Sequence, residues 1–176
     1  MIRIQDYVKC YDNILDLEIC KKIIKEDTHD FEKAATRDGT ISSYRKCHLK
    51  RVDDKFDSLI YKTYGNILGL YIKEFKNFET GLTCEDTGYT HLLYKGEENG
   101  EYKEHVDHYD LHPRVLTCSI ILNDDYEGGD FSFFNGEHII PKKTASCIVF
   151  PSNFCFPHSV TRVTKGDRHA ILTWFH

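Results

Sequence analysis

The spacing of apolar positions changes near residue 85. Before that point it is helical. Leu15, Ile19, Ile23 and Ile24 recur on one face of 16–26, and Asp16 stands where a short carboxylate caps the first free N–H groups. Phe56, Leu59, Ile60, Ile67, Leu70 and Tyr71 mark a longer helix over 54–75. A short strand, 7–11, is predicted ahead of the first helix and another at 44–50. The polar, Gly-containing stretch 28–43 between them reads as a mobile loop, with Asp38-Gly39-Thr40 at its tip able to act as a lid.

After residue 85 the pattern becomes short β runs: 89–94, 101–107, 115–122, 130–134, 137–140, 146–150, 156–161 and 168–175. They are separated by Gly96 to Gly100, Gly128-Gly129, Asn135-Gly136, Pro141, Pro151 and Lys165-Gly166. Eight such strands suit a sandwich or a jelly roll closed on itself. Asn135-Gly136 between apolar runs predicts a tight hairpin. The expectation is a mainly β protein with N-terminal helices, in which 1–85 forms a helical buttress and 86–176 a jelly-roll core, all within a single domain.

Composition narrows the class. Apolar residues are 40% and charged residues 29% of 176, which excludes a disordered chain and leaves no run long enough to span a membrane. The net charge of -5 gives no basic footprint, so nucleic acid is not an expected partner. Seven cysteines form no Cys-x-x-Cys pair, and residues 1–6 lack a secretory pattern, so buried free thiols and a cytoplasmic location are expected. Ten histidines make a metal site worth seeking.

That site is predicted in the β half. His105 and Asp107, two apart on a strand, would face one way and share a ligand. His158 follows 53 residues later and Arg168 ten beyond it, on the last strand. Two imidazoles and one carboxylate on one face of a metal leave positions open opposite, as in non-heme Fe(II) oxygenases. Closed zinc sites instead fill a tetrahedron. Arginine grips carboxylates through two parallel hydrogen bonds, so a chelating 2-oxo acid with a distal carboxylate fits these parts.

The order of the pieces resembles the Fe(II)/2-oxoglutarate dioxygenases of the prolyl-4-hydroxylase type, and within them the small bacterial and phage PKHD-type hydroxylases. The resemblance rests on Tyr94, on Tyr102-Lys103-Glu104-His105-Val106-Asp107, on the 116–123 strand, on Gly128-Gly129-Asp130-Phe131, and on His158 through Arg168 to Trp174. It implies a double-stranded β-helix in which His105, Asp107 and His158 hold Fe(II) and Arg168 binds 2-oxoglutarate. Tyr94 or Tyr102 would contact that co-substrate, and Trp174, His108 and Tyr109 would line the substrate pocket. It also implies O2 as co-substrate, ascorbate as an optional accessory, and hydroxylation of a prolyl residue in a peptide or protein. The chain departs from the pattern at Ile121, where some relatives carry a second tyrosine, at Arg162 for a proline, and at Thr144 for a turn glycine.

Other readings remain open from sequence: a metal-holding jelly roll without catalysis, or a 2-oxoglutarate oxygenase acting on another amino acid, a metabolite or a modified base. Arg168 discriminates against the first, because a pure binding module needs no carboxylate clamp. His91, His138, His169 and His176 show no partner pattern and read as structural or surface groups.

Overall fold

In the computed structural model, which describes residues 2–35, 39–108 and 113–176 (at 79–81 the backbone alone), the change of pattern near residue 85 is a change from helices to strands. A 3-10 turn, Ile4–Tyr7, leads into β1 (Lys9–Tyr11) and α1 (Leu17–Glu26). Then come β2 (Glu32–Lys33), β3 (Arg45–Lys46), β4 (His48–Arg51), α2 (Asp54–Glu74) and a second 3-10 segment, Lys76–Gly81. The β half runs β5 (Thr90–Lys95), β6 (Glu101–His105), β7 (Leu116–Ile121), β8 (Glu127–Gly128), β9 (Phe131–Phe133), β10 (His138–Ile140), β11 (Ser146–Pro151), β12 (His158–Val160), β13 (Val163–Lys165) and β14 (Asp167–Phe175).

Asp16 caps α1 as predicted, its side chain accepting from the Glu18 N–H at 2.8 Å. The strands form a major sheet in the order β1-β11-β7-β14-β5-β4-β2 and a minor sheet in the order β10-β9-β12-β6-β3, with β13-β8 as a separate pair. This is the helix-buttressed jelly roll that the strand count predicts.

Two apolar layers explain the packing. Ile23 of α1 and Phe56, Ile60, Tyr64, Ile67 and Tyr71 of α2 bury against Cys118, Ile120, Cys147, Val149 and Ile171 on one face of the major sheet. The opposite face meets the minor sheet through Leu92, Ile121, Phe131, Phe133, Phe150, Val160 and Leu172. Strand residues therefore alternate between a helix-facing and a sheet-facing core, which is why β7 and β11 are buried along their whole length.

Several expectations need correction. The predicted strand at 44–50 is two strands in different sheets: β3 pairs with β6 and β4 with β5, the chain crossing at buried Cys47. An alternating pattern cannot reveal a change of partner. The strand expected at 7–11 starts only at Lys9. The hairpin at Asn135-Gly136 exists, but Phe134, Asn135 and Gly136 all take positive φ, so the reversal fills four residues between Phe133 and His138. Strands β2, β8 and β13, of two or three residues, gave no sequence signal. Gly128 adopts φ +70° where a Cβ would run into the Arg162 carbonyl, which explains why the Gly-Gly break sits beside β13.

Candidate active site

The two sheets bring the predicted chemistry to one pocket. His105 ends β6 and His158 opens β12, and the two are register partners in the minor sheet. Asp107 is not on the strand, as its spacing had suggested. It lies two residues past the end of β6, where the chain turns its carboxylate between the imidazoles. Its Oδ1 is 3.5 Å from His105 Nε2 and its Oδ2 is 3.5 Å from His158 Nε2. The three ligand atoms lie within 4.8 Å of one another.

Neighbouring groups fix their orientation. Nδ1 of His105 donates to the Lys103 carbonyl at 2.8 Å, and Nδ1 of His158 donates to the Phe156 carbonyl at 3.0 Å. A carbonyl only accepts, so each Nδ1 carries a proton and each Nε2 is the nitrogen that faces the shared space. The Thr117 hydroxyl donates to Asp107 Oδ2 at 2.9 Å and lies 2.8 Å from the Ser152 hydroxyl. Burial pushes Asp107 upward, but the neighbouring His158 and His105 outweigh it and hold the carboxyl well below its usual range. Burial pushes His158 down to about 4, so it is neutral at physiological pH. A neutral His158 and an ionised Asp107 are in the protonation states that a divalent metal requires of its ligands.

Arg168 stands opposite Tyr94 in the register of β14 and β5 and is only 2% exposed. Its guanidinium lies 5.1 Å from the Tyr94 ring centroid. Its Nη1 is buried and makes no hydrogen bond, a donor left for something that enters the pocket. Tyr94 and Tyr102 both line the pocket: the Arg168 guanidinium lies over Tyr94, whereas Tyr102 stacks on His105 with centroids 3.5 Å apart. Half-buried Trp174 lies at the same pocket, with the Arg114 guanidinium 3.5 Å from its ring centroid. The cavity measures about 100 Å³, small beside the roughly 300–1,000 Å³ of pockets for drug-sized ligands. A larger groove of about 800 Å³ runs between α1 and the turn after β7, away from the His-Asp-His cluster.

His108 is exposed beside the cluster and does not line the pocket. Tyr109 lies outside the described residues, as does Asp38 of the loop tip. Sequence reasoning missed Thr117, Ser152 and Arg45. Thr117 and Ser152 are hydroxyls inside or beside apolar strands, and their burial was the available signal. It also missed that His91 and His169 are partners: His91 Nδ1 is 2.6 Å from Asp27 Oδ2, and its Nε2 is 3.0 Å from His169 Nδ1.

Comparison with known proteins agrees with this geometry. The chain is 29% identical to human prolyl 3-hydroxylase 2 over 114 residues, 49% of this chain and 16% of that protein. It is 35% identical to a PKHD-type hydroxylase of Psychrobacter over 74 residues, 40% of this chain and 28% of that one. The chain thus spans well under a third of these relatives. In fold it is similar to a prolyl hydroxylase of Trichoplax adhaerens solved with a hypoxia inducible factor peptide, at a TM-score of 0.74 and 16% identity, covering 96% of this chain and 83% of that one. Residues 89–176, which carry every member of the His-Asp-His-Arg set, match the 2OG-Fe(II) oxygenase superfamily, and the chain belongs to that superfamily.

Proposed function

We propose that His105 Nε2, His158 Nε2 and the Asp107 carboxylate hold Fe(II), that Arg168 binds the far carboxylate of 2-oxoglutarate, and that the substrate is a prolyl residue of a peptide or protein. The single observation behind the first two assignments is the closeness of the three ligand atoms to a buried arginine with an unused donor. When bound, iron with 2-oxoglutarate and O2 supplies the oxidising power for C–H hydroxylation, with succinate and CO2 as by-products.

The protein's residues do the rest. Thr117 and the two backbone carbonyls orient the ligands. Arg168 and Tyr94 set the depth of the 2-oxo acid, and the walls of Leu92, Phe131, Val160 and Leu172 keep water from the site. Trp174, with Arg114 over its face, offers a flat aromatic edge on which a prolyl ring can rest. The names of the relatives support a peptide substrate, as does the acidic balance of the chain, which disfavours a nucleic acid.

We place the protein in the cytoplasm as one catalytic unit spanning 1–176. Its seven free cysteines suit a reducing compartment. Among the described residues no helix is long and apolar enough to cross a membrane.

The test is a panel of proline-rich peptides, free proline, lysyl peptides and methylated single-stranded DNA. Each is incubated with Fe(II), 2-oxoglutarate and ascorbate, and assayed for stimulated succinate and an added oxygen atom. Stimulation by a proline-containing peptide is expected. Stimulation by the DNA or the lysyl peptide alone contradicts the prolyl assignment and leaves the iron chemistry intact.

A further inference from the structure

The geometry points to Arg45 as a second guanidinium for the far carboxylate of the 2-oxo acid, gripping it from the minor sheet while Arg168 grips it from the major one. This rests on the co-substrate reading proposed above. Arg45 lies on β3, opposite Tyr102 of β6, with its guanidinium 4.8 Å from the Tyr102 ring centroid. It lines the same pocket as Arg168 and Tyr94. Its Nη1 donates to the Ala35 carbonyl at 3.3 Å, but its Nε is buried without a hydrogen bond, as is Nη1 of Arg168.

Each arginine thus keeps one buried nitrogen without a hydrogen-bond partner among the described residues. A buried guanidinium nitrogen without a partner has lost its hydration, a cost that an arriving anion removes. Their shared neighbours place the anion. Arg45, Tyr94 and Arg168 line one pocket, and the Arg168 guanidinium lies 5.1 Å from the Tyr94 ring centroid. The metal-ligand residues His105, Asp107 and His158 line the same pocket. A carboxylate has four lone-pair sites, and one arginine fork uses two of them. The buried Nε of Arg45 is placed to serve the remainder.

The consequence is selectivity. Arg45 contributes to binding a 2-oxo acid only when that acid carries a distal carboxylate. Calorimetric titration of the Mn(II)-loaded protein with 2-oxoglutarate and with 2-oxopentanoate, which lacks that carboxylate, separates this role from a structural one. Arg45→Gln and Arg45→Ala are compared with wild type and with Arg168→Ala, and folding is checked by circular dichroism.

Both Arg45 variants should lose roughly 10- to 150-fold in 2-oxoglutarate affinity. Their affinity for 2-oxopentanoate should stay within about twofold, and Arg45→Lys should recover part of the loss. Unchanged 2-oxoglutarate affinity in Arg45→Gln, with Arg168→Ala weakened, overturns the role of Arg45 and leaves that of Arg168 standing. Equal weakening toward both acids also overturns it, because a packing defect acts on both. Failure of the wild type to bind 2-oxoglutarate overturns the reading of the pocket and this proposal with it.

Discussion

Thr117 shows how much of the site's precision comes from residues that are not metal ligands. Its hydroxyl, on β7, donates to Asp107 Oδ2 and lies 2.8 Å from that of Ser152, just past the end of β11, so the major sheet fixes a carboxylate attached to the minor one. Thr117→Val keeps the shape and removes the donor. Metal affinity should fall about 10- to 100-fold, the usual consequence of losing an outer hydrogen bond to a ligand, with little change in thermal stability. Titration with Mn(II) reads the effect, and unchanged affinity would show that Asp107 is oriented by its backbone alone. The four principal residues were legible in sequence because their types are rare together and their spacing is informative. Thr117 and Arg45 were not, since a threonine in an apolar strand and an arginine beside a polar loop are ordinary, and only tertiary placement gives them partners.

At the scale of elements, a buried polar chain ties the helical half to the major sheet. Asp27, which closes α1, accepts from Lys50 Nζ of β4 at 2.6 Å and meets His91 of β5, which meets His169 of β14. Asp27 and His91 are fully buried and Lys50 nearly so. Burial raises the Asp27 carboxyl, and the hydrogen bonds from His91 and Lys50 more than reverse this, leaving it ionised. Lys50 still pairs with Asp27 when His91 is removed, so His91→Ala loses one hydrogen bond to a charged group and should cost about 1.5–3 kcal/mol in urea unfolding.

The pH dependence of stability follows from the same chain. Burial holds His169 down at about 4 against an ordinary value of 6.5, so the unfolded chain takes up this proton first. Stability should therefore be full above pH 6.5 and decline as pH falls toward 4, by at most about 3 kcal/mol from this group. Constant stability across that window would show that His169 titrates normally. The sequence revealed the helices and longer strands, whose apolar periods extend over several repeats. It concealed this network, because histidines at 91 and 169 become neighbours only through the pairing of β5 with β14.

For the whole molecule, the double-layered core explains how a metal site can be built without being needed for folding. Both apolar clusters are complete without His105 or Asp107, and the sheet that carries Arg168 is supported from behind by α1 and α2. His105 and His158 sit on the minor sheet and Arg168 on the major one, so on the proposed reading 2-oxoglutarate would span the gap between the layers. The architecture was visible in the sequence as a change of hydrophobic period. The assignment of strands to two sheets was not, since β3 and β4 are adjacent in sequence yet belong to different layers.

The measurement that bears most directly on this account is the amount of Fe(II) retained per chain, determined anaerobically for the wild type and for His158→Ala after confirming equal folding. The account predicts close to one Fe(II) in the wild type and severe loss in the variant, which keeps only two protein ligands. One Fe(II) per chain retained by folded His158→Ala would contradict it.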